Sequence, residues 1–230
     1  MTRRDELAAG LAETEERIAA ACAAAGRDRS EVTLVVVTKT YPASDVDLLA
    51  ELGVVDVGEN RHPEAGDKAD EVSATMRWHF LGGLQTNKAG AVARYADLVH
   101  SVDRVKLVNS LSRGADAAGR ALTCLVQVDF DATDPGRAGV VPDGVGEIAD
   151  AIASAPGLVL GGLMTVAPLG EDPAPHFDHL ARLSAALRAD HPEATMISAG
   201  MSGDFEAAVA AGATHLRIGR SILGERASTG

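Results

Sequence analysis

The chain has 230 residues, of which 46% are hydrophobic and only 3% aromatic, and it carries a formal net charge of −12. That is enough aliphatic material for one α/β barrel or two small domains. The acidic surplus argues against a broad nucleic-acid-binding face and against adhesion to an anionic membrane, so any anionic ligand must be gripped by a local cluster.

Residues 1–26 read as an amphipathic helix packed on the rest of the chain, not as a leader: Asp5, Glu13, Glu15 and Glu16 interrupt the stretch, and Leu7, Leu11, Ile18 and Cys22 share one face. Val32–Thr40 follows, an apolar run without alternation and rich in β-branched residues, as expected of a parallel strand buried on both faces. Lys39 falls where that strand ends, on the side where α/β proteins place their ligands. A lysine half-sunk there is partly desolvated, which favours its free amine and makes it a nucleophile toward carbonyls. On position alone, a lysine that ends a strand in solvent is the simpler reading. Only four of the 21 lysines and arginines are lysines: Lys39, Lys68, Lys88 and Lys106.

From there the chain alternates. Strands are predicted at 32–39, 53–58, 77–82, 98–102, 122–130, 158–166, 195–199 and 215–219. Helices are predicted at 43–52, 61–74, 87–96, 103–119, 143–154, 174–190 and 203–212. Ser44-Asp45, Asp103 and Ser202 signal helix starts, and Gly26, Gly53, Gly212 and Pro156 signal stops. Eight strands alternating with helices predict a single (β/α)₈ TIM barrel over 1–230, with a doubly wound open sheet as the alternative. The longest irregular piece runs from Asp129 to Pro142, with a turn signal at Asp134-Pro135-Gly136. Cys22 and Cys124 sit in apolar stretches and read as buried free thiols, consistent with a reducing cytoplasm; no apolar run reaches membrane-spanning length.

In such a barrel, strand ends converge on one mouth, and phosphate groups tend to bind after strands seven and eight. Those loops read Ser198-Ala199-Gly200-Met201-Ser202-Gly203-Asp204 and Arg217-Ile218-Gly219-Arg220-Ser221. The first offers small residues, a hydroxyl and free N–H groups; the second offers Gly219 for close approach and the amides of Gly219 and Arg220. Either alone is an ordinary glycine-rich turn. Together with a strand-end lysine able to form an imine, they point to pyridoxal 5′-phosphate (PLP).

Several segments together resemble the pyridoxal phosphate homeostasis proteins, single-domain relatives of the alanine racemase barrel. They are Val36–Thr40, Gly58-Glu59-Asn60-Arg61, Trp78–Lys88, His100-Ser101-Val102-Asp103, Gly162-Leu163-Met164-Thr165, Ser198–Asp204 and Gly212–Gly219. The resemblance implies a PLP-binding barrel of the alanine racemase N-terminal type, with the cofactor held as a Schiff base on Lys39. It also implies phosphate contacts at Ser202, Gly219 and the Arg220 backbone, a pyridine-nitrogen partner in Arg217, and Asn60 near the cofactor. The chain departs from the family pattern at Ala199, Gly83, Arg220 and Arg137-Ala138-Gly139. Ala199 and Gly83 are expected to loosen packing, and an arginine at 220 trades a hydroxyl for a guanidinium.

Arg217 beside the pyridine nitrogen leaves that nitrogen unprotonated, since two cations repel, and the ring is then a poor electron sink. His79 points away from Trp78 and Phe80 and faces either the cofactor or a satisfied interior site. His62, His176, His179, His191 and His215 need no role. Lys88 reads as a solvated helix residue, Glu59 as an arginine's partner, and Met164 and Met201 as packing. The implied function is non-enzymatic PLP storage, buffering or delivery in the cytoplasm, by a monomer or weak homodimer that meets apo-PLP enzymes transiently. The alternative is a PLP-dependent racemase or related enzyme. Racemization needs a second acid/base opposite Lys39, which in alanine racemases is a tyrosine from another domain. Only Tyr41, in the loop wall, and Tyr95, read as mid-helix, are available here.

Overall fold

The structure, a computed structural model, describes residues 1–131, 138–168 and 170–224. The predicted turn Asp134-Pro135-Gly136 and the family position Arg137 lie outside the described residues. The strands are β1 (Thr33–Val37), β2 (Asp56–Glu59), β3 (Arg77–Phe80), β4 (Leu98–Val102), β5 (Leu122–Gln127), β6 (Leu158–Met164), β7 (Met196–Ser198) and β8 (His215–Ile218). They pair in parallel and in sequence order, and β8 returns to β1 with Thr33 opposite His215, closing the barrel. The open-sheet alternative is thereby excluded.

The helices are α1 (Arg3–Ala24), α2 (Ala43–Glu51), α3 (Glu64–Glu71), α4 (Ala89–Val92), α5 (Val105–Ala118), α6 (Val145–Ser154), α7 (Ala174–Asp190), α8 (Phe205–Ala210) and α9 (Arg220–Leu223). The predicted order is reproduced; β4 and α7 have the predicted bounds and the other predicted elements are shorter. Strand two starts at Asp56 because Gly53 turns the chain out of α2 at φ 89°, where only glycine is unstrained. Tyr95, expected mid-helix, lies in the turn after α4, and the short α9 is an element the periodicity did not predict.

Two cores result. Val, Leu, Ile and Ala side chains from the strands' outer faces pack against the helices in one continuous apolar layer. The barrel's inside is different: His79, His100, His215, Ser198 and Arg217 are all buried. Outside the ring, α1 lies against α2, α8 and α9. Its buried residues are Leu7, Thr14, Ile18 and Cys22, close to the predicted face. Among the described residues, no helix is long and apolar enough to cross a membrane.

Candidate functional site

The carboxyl ends of the strands surround a cavity of about 820 Å³. Val37, Lys39 and Tyr41 line it from β1, Asn60 from β2, Leu81 from β3, and Val166–Pro168 from β6. Met201–Asp204 follow β7, and Arg217, Gly219 and Arg220 come from β8. Lys39, Asn60, Ser202, Arg217, Gly219 and Arg220, expected from the sequence to share a site, thus do line one cavity. His79 is not among its lining residues.

Lys39 is half-buried and sits in a tight turn closed by Tyr41 N–H donating to the Thr38 carbonyl at 3.1 Å. Thr40 in that turn has φ 72°. A β-branched residue there stores roughly 1–3 kcal/mol of strain and persists only where its surroundings hold it. They do: Thr38 donates its N–H to the Gly58 carbonyl at 2.9 Å and its hydroxyl to Glu59 Oε1 at 2.8 Å. Lys68 Nζ, from α3, donates to the Thr38 carbonyl at 2.8 Å and pairs with Glu59, both side chains being buried. Glu59 therefore pairs with a lysine and not an arginine, and Lys68 is no surface helix residue. Lys88 Nζ donates to the His62 carbonyl at 2.8 Å and ties down the loop after β2, which corrects its reading as a solvated residue. Among the lining residues described, Lys39 is the one lysine.

The opposite rim is made by the two glycine turns. Gly200, at φ 91°, lets the chain double back: a Cβ there would meet the Ala208 Cβ at 2.8 Å. Asp204 Oδ1 accepts the Met201 N–H at 2.6 Å and shapes the turn, while the Ser202 and Gly203 amides make no hydrogen bond among the described residues. Gly219 presses on the end of β1, where a Cβ would lie 2.8 Å from the Val37 carbonyl oxygen. The first amides of α9, on Arg220 and Ser221, have no helical acceptor. The Tyr41 hydroxyl donates to the Gly224 carbonyl at 2.7 Å and joins the two rims.

Arg217 is buried; its Nη1 donates to Ser198 Oγ at 2.6 Å and its Nη2 to the Thr165 carbonyl at 2.8 Å. Burial lowers its pKa to about 10, against an upward pull from Asp204, so it stays a cation at neutral pH. Behind it, His100 Nδ1 lies 2.9 Å from Ser198 Oγ, and His100 Nε2 lies 2.9 Å from His79 Nδ1. His79 Nε2 lies 2.8 Å from Asp56 Oδ1. His79 is thus the satisfied interior histidine, linked to the site through two other residues. His215, expected to need no role in a turn, opens β8 inside the same space, with ring centroids 6.2 and 6.4 Å from His79 and His100.

Sequence reasoning assigned no role to His100, Ser198 or Lys68. The only available signal for the first two was strand parity, which marks a side chain as inward without naming its partner. Of the departures, Ala199 is buried in the core, whereas a Cβ at Gly83 would meet nothing within 4 Å. Gly83 therefore does not loosen the site. Met201, expected only to pack, lines the cavity.

Residues 11–227 match the family described as the alanine racemase N-terminal domain. The chain is 41% identical over 244 residues to the pyridoxal phosphate homeostasis protein of Mycobacterium tuberculosis, covering 97% of this chain and 94% of that one. It is 34% identical over 235 residues to the protein of the same name from Escherichia coli K12, covering 96% and 97%. The structure of PipY from Synechococcus elongatus with PLP bound superposes with a TM-score of 0.83 at 31% identity, over 95% of this chain and all of that one.

Proposed function

As this chain belongs to the pyridoxal phosphate homeostasis protein family, built on the alanine racemase N-terminal barrel, we propose that it binds PLP in the cavity at the barrel mouth. It stores, buffers or hands on the cofactor in the cytoplasm and has no enzyme-like turnover. The observation that carries this reading is one cavity of about 820 Å³ flanked by a half-buried lysine, a buried arginine and two glycine turns. That volume is within the range of about 300–1,000 Å³ usual for small-molecule sites.

When bound, PLP supplies an aldehyde that condenses with an amine, a pyridine ring and a phosphate. Lys39 provides the amine, and the strained turn holds it at the cavity wall. Ser202 and the amides of Gly203, Gly219 and Arg220 would hold the phosphate, and the exposed Arg220 guanidinium would supply charge in place of a hydroxyl. Arg217 would donate to the ring nitrogen of bound PLP and, being a cation, would keep that nitrogen unprotonated. Asn60, on the cavity wall, would lie beside the ring.

The tyrosines support a carrier over a racemase. The Tyr41 hydroxyl is engaged with Gly224, on a residue two positions from Lys39. The Tyr95 hydroxyl is buried and has no hydrogen-bond partner among the described residues, and burial followed by Glu59 and Glu64 raises its pKa. Neither is placed to return a proton to the face opposite Lys39, a function worth about 10²–10⁴ in rate. Release to apo-enzymes, which a monomer or weak homodimer would meet transiently, would require an incoming amine to take the place of Lys39.

The test is to load the protein with PLP, reduce with borohydride and map the modified peptide. The label is expected on Lys39 and lost in Lys39→Ala; a label on Lys88 would overturn the assignment. Single enantiomers of alanine and serine should leave with unchanged chirality. Turnover near the enzyme range of about 1 s⁻¹ would favour the racemase alternative.

A further inference from the structure

A line of hydrogen-bond contacts crosses the barrel between a group that can only donate and one that can only accept. A guanidinium only donates and a carboxylate only accepts, and these two groups stand at opposite ends of an unbroken line. Arg217 Nη1 reaches Ser198 Oγ at 2.6 Å, Ser198 Oγ reaches His100 Nδ1 at 2.9 Å, and His100 Nε2 reaches His79 Nδ1 at 2.9 Å. His79 Nε2 then reaches Asp56 Oδ1 at 2.8 Å. Because Asp56 only accepts, a neutral His79 carries its proton on Nε2 and leaves Nδ1 to accept from His100, so Ser198, which has a lone pair for Arg217, sends its proton to His100 Nδ1. His100 must carry its own proton on Nε2 and give it to His79 Nδ1. His79 must likewise carry its proton on Nε2, aimed at Asp56. Every link is satisfied with both imidazoles neutral, and reversing any one of them alone leaves a donor facing a donor or an acceptor facing an acceptor.

We propose that Asp56, His79, His100 and Ser198 form a positioning relay that fixes these tautomers and thereby presents a hydroxyl lone pair to Arg217, setting the guanidinium that faces the cavity. Two of its N–H groups are held inward, by Ser198 and by the Thr165 carbonyl at 2.8 Å. The guanidinium plane is then fixed, and its remaining donors serve the cavity.

The charges around the line agree with its direction. Arg77 Nη1 lies 2.9 Å from Asp56 Oδ1. Burial raises the Asp56 pKa, but His79 and Arg77 outweigh it and hold the pKa below the ordinary value, so the far end is an anion. Burial first, then His79 and Arg217, push His100 well down. His215, whose Nδ1 is taken by Thr214 Oγ1 at 2.9 Å, is lowered to about 4 by burial and then by His79, against Asp56. The rings of His100 and His215 are therefore neutral at pH 7.5. The tautomer assignment stands on geometry alone; its effect on ligand binding rests on the PLP reading above.

Long-range ¹⁵N–¹H correlation of the histidine side chains at pH 7.5 reads the tautomers directly, without cofactor. In the unmodified protein, His79 and His100 should both be protonated on Nε2. Asp56→Asn, made together with Arg77→Ala so that no cation holds the amide oxygen at the Oδ1 position, keeps the shape but lets an amide N–H donate to His79. Both rings should then shift to the Nδ1 proton, so Ser198 accepts from His100 as well as from Arg217 and its own proton loses its acceptor. PLP affinity should fall about tenfold, as for one lost hydrogen bond, with a shifted absorption band, and Asp56→Glu with Arg77→Ala should restore both. Ser198→Ala removes the last link while leaving Asp56 in place. It should keep the Nε2 tautomers yet weaken PLP by a similar factor, so the proposal is still judged if Asp56→Asn with Arg77→Ala fails to fold. Either ring found with its proton on Nδ1, or doubly protonated, in the unmodified protein would overturn the relay. So would wild-type PLP affinity and absorption in both the Asp56→Asn, Arg77→Ala double variant and Ser198→Ala. An unmodified protein that binds no PLP would refute the cofactor reading instead, leaving the tautomers to judge the relay's order.

Discussion

The two walls of the cavity are held by opposite means. Beside Lys39, a full ion pair between Lys68 and Glu59 is buried under a strained turn. Beneath Arg217, neutral groups carry the hydrogen bonding inward, and the charges stand at the ends of the line. The first arrangement is local, built from β1, β2 and α3. The second draws on β2, β3, β4, β7 and β8. A buried pair is fragile because losing one partner strands a charge, whereas a line of neutral bonds loses one link at a time.

The largest effect expected from breaking this contrast is on the Lys39 wall. Lys68→Met leaves Glu59 buried without its cation and should lower unfolding free energy by about 3–5 kcal/mol. Urea melts would read this, and adding Glu59→Gln should recover most of the loss. If the single substitution proves as mild as a surface change, the pair does not brace the turn.

Acid probes the lumen. The folded pKa of His215, about 4, lies below its ordinary 6.5. Below 6.5 the unfolded chain takes up a proton that the folded protein refuses. Stability is therefore complete above that pH and falls as pH drops toward 4, by up to about 3 kcal/mol from this residue. Denaturant midpoints at pH 7, 5.5 and 4.5 should show the slope, and His215→Asn should flatten it.

At the rim, Ser202→Ala should weaken PLP by about 1.5–3 kcal/mol, the worth of a hydrogen bond to a charged group, and spare pyridoxal, which has no phosphate. Equal losses for both ligands, measured by titration, would remove Ser202 from the phosphate site. The smallest effect sets the baseline. Gly83 faces open space, so Gly83→Leu should change stability by less than about 0.5 kcal/mol and leave PLP binding as it was.

How far the site was legible follows from sequence distance. Lys39 could be placed from one apolar run, because a strand's end is a local property. The two glycine turns could be placed once eight strands were counted. Lys68 was hidden because a single lysine in a polar helix looks solvated until the helix is docked. The relay was hidden more deeply: His79 and His100 are 21 positions apart, and His100 and Ser198 are 98 apart.

The order of elements, the closed parallel barrel and the strand-end lysine follow from the chain's own pattern, since β-branched runs, helix signals and turn residues act over a few positions. Which polar side chains meet inside the barrel does not. Strand parity sends His79, His100, Ser198 and His215 inward, but register and closure choose their partners, and those depend on all eight strands at once. The direction of the proton line across the barrel became readable only when Asp56 and Arg217 were seen at its two ends.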